Sequence, residues 1–253
     1  FLTPRIGHRD APLAALLAAC AGVALLILAM LGMALFASFT SFWPYNLTPS
    51  LRHYAMGLVD AEVGEAFVNS LLVAAGTATV GTALVFVGAY MLEKTKGMDG
   101  LRSAVRLLAM LPMAVPGLVL GLGYIFFFNA PNNPLNFLYA TMGILVLTTV
   151  AHFYTVGHLT AATALKQIDP EFESVSASLK VPIWRTFMRV TAPICLPAIL
   201  DIAIYLFVNA MTTVSSVIFL YAPDTKLASV AAVNIEEAGT TAAAAALCVD
   251  RRA

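Results

Sequence analysis

Charge is scarce in this sequence: 11% of its 253 residues are Asp, Glu, Lys or Arg, and the two signs cancel. A soluble globular domain carries about 25% charged residues, so this chain cannot clothe a globular surface with them. Cysteine is nearly missing too. Cys20, Cys195 and Cys248 are scattered in or near apolar segments without metal-ligand spacing and read as buried, inert thiols. The chain has no GxxxxGK[ST] loop, so it does not bind ATP through a phosphate-binding loop of its own. Histidine is sparse and dispersed at His8, His53, His152 and His158; the last two share a helix, but their spacing places them on different faces. No constellation of catalytic groups appears, and Glu62 and Glu65 read as solvated carboxylates of a loop. Neither a 20–50-residue repeat nor a low-complexity linker divides residues 1–253, which are expected to form one membrane domain.

What the chain has in abundance is apolar length. Hydrophobic residues make up 60% of it and the mean hydropathy is +0.86. A helix needs about 20 apolar residues to cross a hydrocarbon core roughly 30 Å thick. Leu13 to Phe39, Phe67 to Leu92, Ser103 to Phe128, Phe137 to Leu165 and Pro193 to Tyr221 each meet that length. In lipid the backbone must satisfy its own hydrogen bonds, so these runs predict an all-α polytopic bundle of five full spans. The first run exceeds the 7–15 residues of a signal-peptide core and is a retained helix. The last apolar stretch, residues 238–249, is too short to span. Together with a start at Phe1, this suggests either a sixth helix begun and cut off or non-native terminal residues.

The positions of the charges orient the bundle. With a cytoplasmic N-terminus, Arg5, Arg9, Lys94, Lys96, Arg102, Arg106, Lys166, Lys180, Arg185, Arg189, Arg251 and Arg252 all fall inside. Only Arg52 and Lys226 fall outside, which is the positive-inside pattern. Trp43, Tyr45 and Tyr54 follow the first span at interfacial depth. The first outer loop, Ser41 to Ala66, is long enough for a short surface helix.

Three segments carry functional signals. Residues 166–190 turn polar yet keep Phe172, Val175, Leu179, Ile183, Trp184 and Phe187 at helical spacing, an amphipathic cytoplasmic segment that Asp169 and Pro170 can open. Span five holds Asp201, Tyr205, Asn209, Thr212, Thr213 and Ser216 at steps of three and four, one polar stripe on an apolar helix. Such a stripe either bonds neighbouring helices or lines a translocation path, and the spacing leaves both open. In span three Pro112 and Pro116 bend the helix, and Gly117 and Gly121 permit close helix approach.

The stretch IDPEFESVSASLKVPIWRTFMRVTAPICLP from Ile168 resembles the EAA loop of binding-protein-dependent ABC importer permeases. The motif's Glu falls on Ser174, with Glu173 one residue earlier; its paired alanines fall on Val175 and Ser176, its Gly on Lys180, and its close on Val190 to Pro193. FVNSLLVAAGTATVGTALVFVGAYMLEKTKG from Phe67 is similar to the span that opens the permease core. VPGLVLGLGYIFFFN from Val115 narrows the likeness to permeases for ferric iron, thiamine, sulfate and phosphonates, with the 2-aminoethylphosphonate permease most similar. The resemblance implies a type I ABC importer permease fold and, since such permeases are often fused in pairs, a C-terminal half. It implies a multi-pass protein of the bacterial inner membrane without nucleic-acid partners, working beside a second permease half and a periplasmic solute-binding protein. An ATPase subunit dimer uses the ATP, so this chain needs no cofactor and is no enzyme. Glu173, Ser174, Val175, Ser176, Lys180, Trp184 and Phe187 would then couple to the ATPase, and the stripe from Asp201 to Ser216 would face the path. Two other classes fit less well. A secondary transporter wants ionisable groups deep in several spans, and only Asp201 offers one; a membrane enzyme wants convergent catalytic groups.

Overall fold

The computed structural model describes residues 11–54, 61–94, 97, 99–169, 171–239 and 241–250. Arg5, His8, Arg9, Lys96, Pro170, Arg251, Arg252 and the side chain of Cys248 lie outside the described residues. Two compact units are present, one within Phe1–Ala61 and Ala232–Ala253, the other Glu62–Ala231.

The first unit is built on α1, Ala11–Ser38, a helix with apolar residues on every side and almost every side chain exposed. A helix without a polar face suits hydrocarbon rather than water. In the loop that follows, where a short surface helix is expected, the chain first forms a hairpin; residues 52–54 are helical and 55–60 lie outside the described residues. Strand β1, Thr40–Phe42, pairs antiparallel with β2, Asn46–Pro49. The Asn46 side-chain oxygen accepts from the Thr48 N–H at 3.2 Å and the Thr48 hydroxyl at 2.8 Å, a local turn that competes with helix. Trp43 packs edge-on to Phe36 with ring centroids 6.2 Å apart. The apolar stretch expected over residues 238–249 is a ten-residue helix, Thr241–Asp250, lying against α1.

The second unit holds a helical bundle of its own. Helix α2, Ala61–Gly76, continues through a π-helical turn, Thr77–Gly81, into α3, Thr82–Lys94, and Glu62–Lys94 is one helix long and apolar enough to cross a membrane. Next come α4, Asp99–Ala114, and α5, Gly117–Phe128, which meet at 112°. The bend is much sharper than a kinked single span. Pro112 is tolerated inside α4, but Pro116 lacks an N–H and drives its neighbour out of helical geometry, so the helix stops at Ala114. A carbonyl one turn before Pro112 is bonded from outside: the Thr155 hydroxyl donates to Ala109 O at 2.7 Å.

Helix α6, Met142–Lys166, is the hub, packing against α3, α4 and the later helix α9. Its Gly157 lets Val85 and Ile202 close in from both sides. The polar segment after it folds as α7, Glu171–Ser178, and α8, Ile183–Thr186; a π turn, Phe187–Thr191, and one further turn lead to α9, Leu196–Thr212. The approach, Ile183–Ile194, meets α9 at 77°. Among the described residues, three helices are long and apolar enough to cross a membrane alone, and up to five spans result if each bent pair counts as one. Two clusters fill the unit. One, around Phe86, Tyr90, Leu165 and Ile202, lies near Lys94 and Lys166; the other, around Val73, Ile144, Val217 and Leu220, lies toward the opposite end.

Candidate functional site

The amphipathic segment folds as a helix–turn–helix at the end of the bundle that carries Glu93, Lys94 and Lys166. Its start is capped, with Asp169 Oδ1 accepting from the Glu171 N–H at 2.9 Å. Its turn is a Schellman motif, in which the Val181 N–H reaches Ser176 O at 2.9 Å and the Lys180 N–H reaches Ala177 O at 3.0 Å. The residue in left-handed geometry, with φ of 54°, is Lys180. The turn for which the permease motif uses Gly is therefore made here with a lysine, at a steric cost that glycine avoids.

The seven residues expected to couple to an ATPase divide into two sets. Val175 and Trp184 are exposed, and with Leu179 and Ile183 they form an apolar ridge; Leu179 is 70% and Trp184 64% exposed. The Arg185 guanidinium sits 5.4 Å from the centre of the Trp184 ring. Ser174 is exposed and donates to Glu171 O at 2.8 Å, Ser176 is half-buried, and Lys180 is exposed. Phe187 and Glu173 face the bundle instead. Phe187 lies 4.7 Å from the Tyr90 ring and 5.8 Å from that of Phe86, as part of the core. Glu173 Oε1 pairs with Lys94 Nζ at 2.9 Å, the lysine side chain being only 8% exposed. The same ammonium donates to Ile168 O at 3.4 Å.

Beside that pair, Glu93 binds Arg106 at 3.1 Å and Lys166 at 3.9 Å, and Arg102 donates to Leu92 O. In the sequence Lys94, Arg102, Arg106 and Lys166 stand only as cytoplasmic cations, and this hub is missed. Its signal was an opposite-charge dipeptide closing a long apolar helix.

The polar stripe of span five is shorter than expected. Asp201 and Thr212 are exposed and Tyr205 and Asn209 half-buried, all on α9; Asn209 Nδ2 donates back to Tyr205 O at 2.8 Å. The helix then ends, with Thr213 extended at ψ of 136°. Thr213 and Ser216 are buried, their hydroxyls 3.2 Å apart, and the Ser229 hydroxyl donates to Thr213 O at 2.7 Å. The β-branched run Thr212-Thr213-Val214 weakens helix, and the hydroxyls supply local bonds that replace it. Thr213 and Ser216 thus leave the stripe for the interior. Facing them, a Cβ at Gly117 would strike the Ser215 hydroxyl and one at Gly121 would come within 3.0 Å of the Ser216 carbonyl. The glycine spacing of α5 serves close approach to this segment.

At the same end Asn69 and Ser70 tie the start of the 62–94 helix to the loop after span five. Asn69 Nδ2 donates to Asp224 O at 2.9 Å and Lys226 O at 3.2 Å, and Ser70 Oγ accepts from the Ala228 N–H at 2.9 Å. Glu62, Glu65, Tyr221, Asp224 and Lys226 surround a cavity of about 350 Å³ there. His158 is buried and stacked on Tyr154, while His152 lies beside Gly117.

This bundle has the fold of ABC importer permeases, and the chain is a multi-pass membrane protein. It aligns with a chain in the crystal structure of a bacterial ABC transporter involved in import of the acidic polysaccharide alginate, with a TM-score of 0.80 at 16% identity over 96% of this chain and 90% of that one. A second structure of the alginate transporter, bound to a pentasaccharide-loaded periplasmic protein, aligns with a TM-score of 0.78 at 16% identity over 95% and 88%. In sequence the chain is 35% identical over 204 residues to a putative ferric transport system permease protein, FbpB 1, of Haemophilus influenzae, covering 79% of this chain and 31% of that protein. It is 32% identical to the ferric transport system permease protein FbpB of Actinobacillus pleuropneumoniae over 83% of this chain and 30% of that one. The molybdate/tungstate transport system permease protein WtpB of Thermococcus kodakarensis is 27% identical over 66% of this chain and 65% of that protein. The chain spans about a third of the length of the ferric permeases it matches. No family model matches.

Proposed function

We propose that this chain is one permease half of an ATP-driven importer and that the ridge on α7 and α8 seats in a separate ATPase subunit. The observation that carries this reading is the ridge itself. Val175, Leu179, Ile183 and Trp184 stand exposed on a capped helix–turn–helix beside the basic end of the bundle. Large apolar side chains displayed together on a polar, charged end of a membrane protein favour a protein partner. The positive-inside rule puts this end in the cytoplasm, where an ATPase dimer operates. Closure of that dimer would rock this half against a second permease half, and a periplasmic binding protein would deliver solute at the far end. Asp201, Tyr205, Asn209 and Thr212 are the groups of α9 offered to the path.

For the solute, the relatives favour ferric iron over the 2-aminoethylphosphonate suggested by sequence resemblance, since the three relatives above 30% identity are all named for ferric transport. Membrane vesicles holding the assembled importer should accumulate radioactive iron(III) only with ATP and the binding protein, and should leave 2-aminoethylphosphonate outside. Accumulation of the phosphonate alone would reassign the solute. Uptake by the chain without any ATPase subunit would overturn the class.

A further inference from the structure

We infer that Lys94 is a positioning residue, a strut that carries movement of α7 into the long helix Glu62–Lys94. The inference rests on the ATPase-coupled reading above and deepens it by naming the internal route. In chain order α7 hangs between α6 and α9, so its motion would be expected to reach those two helices alone. None of the residues of α7 is buried, so packing does not fix it to the bundle. Glu173 does. Its carboxylate meets Lys94 Nζ at 2.9 Å, the lysine side chain 8% and the glutamate 30% exposed. An ion pair sheltered this far from water is screened less than a surface pair, and removing one partner leaves the other charge uncompensated.

The receiving face is continuous. Phe86, Tyr90 and Lys94 recur at steps of four on α3 and so share one side of it. Phe86 and Tyr90 pack on Phe187, downstream of α7, while Lys94 holds Glu173 within α7 and Ile168 O upstream of it. One helix face thus grips the chain before, within and after α7. The neighbouring Glu93 binds Arg106 of α4 and Lys166 of α6, which ties the same helix end to the next two spans. A displacement of α7 that kept these contacts would move the 62–94 helix directly. Glu173 is in this account an internal link, turned away from the partner that the ridge meets.

The test compares Lys94→Met, which keeps the aliphatic stem but removes the charge, with Lys94→Arg and with the charge swap Lys94→Glu/Glu173→Lys. Each variant is read in the assembled importer for ATPase copurification and for solute taken up per ATP hydrolysed. A strut predicts that Lys94→Met keeps the ATPase bound and hydrolysing while uptake per ATP falls about tenfold, the scale of a typical coupling free energy. Lys94→Arg and the swap should recover most of it. If Lys94→Met does not accumulate, Glu173→Gln removes the charge from the more exposed partner, and the same fall is expected. Unchanged uptake per ATP in Lys94→Met or Glu173→Gln overturns the strut, as does loss of the ATPase from either, which would make the pair part of the docking surface. Failure of the ATPase to copurify with the unaltered chain would instead overturn the proposed function.

Discussion

Lys180 shows how much a single residue can depart from a motif while the geometry survives. The turn between α7 and α8 needs a left-handed residue, and a lysine occupies it at φ of 54° because both Schellman bonds are made. Left-handed geometry costs a residue with a Cβ roughly 1–2 kcal/mol, part of which glycine returns through a freer unfolded chain. Lys180→Gly should therefore stabilise the turn by about 1 kcal/mol, seen as slower amide hydrogen exchange at Val181. Unchanged or faster exchange would show that the side chain itself holds the turn. Asn69 is the opposite case, a residue whose substitution breaks things. Its buried amide satisfies two carbonyls of the loop after span five, and Asn69→Ala should lower stability by about 1–3 kcal/mol. A thermal melt in detergent checks this, and a melt unchanged from the parent would contradict it.

Among elements, the bent pairs separate what pattern can tell from what packing decides. Apolar length located every long helix, and the prolines marked where α4 and α5 part. The angle of 112° was not legible, because it depends on α5 lying against residues 213–220 through Gly117 and Gly121. Gly121→Val should test that contact directly. Its side chain would press on the Ser216 backbone, which cannot rotate away, costing about 1–3 kcal/mol by overpacking. A variant as stable as the parent in a denaturation series would mean the close approach is dispensable. The end of α9 was illegible for another reason. Thr213 and Ser216 continue a helical spacing, and the same hydroxyls can end a helix by bonding locally; only the burial of Ser229 against Thr213 O tips the balance.

On the scale of the whole molecule, the membrane bundle and the helix–turn–helix were both visible in sequence, since one rests on apolar length and the other on amphipathic spacing. The inward half of the candidate site was not. Glu173 and Phe187 sit on the same amphipathic segment as Val175 and Trp184, and helical spacing cannot say which of them meets Lys94 or Tyr90 from a distant helix. The proposed docking surface therefore narrows to the ridge. The central claim is that this ridge meets an ATPase, and a photo-crosslinking residue placed at Trp184 in the assembled importer measures it most directly. A control at Leu84, exposed on the 62–94 helix, reports non-specific capture. The account predicts an adduct with the ATPase subunit from position 184 and none from position 84. No ATPase adduct from position 184, or equal adducts from both, would contradict it.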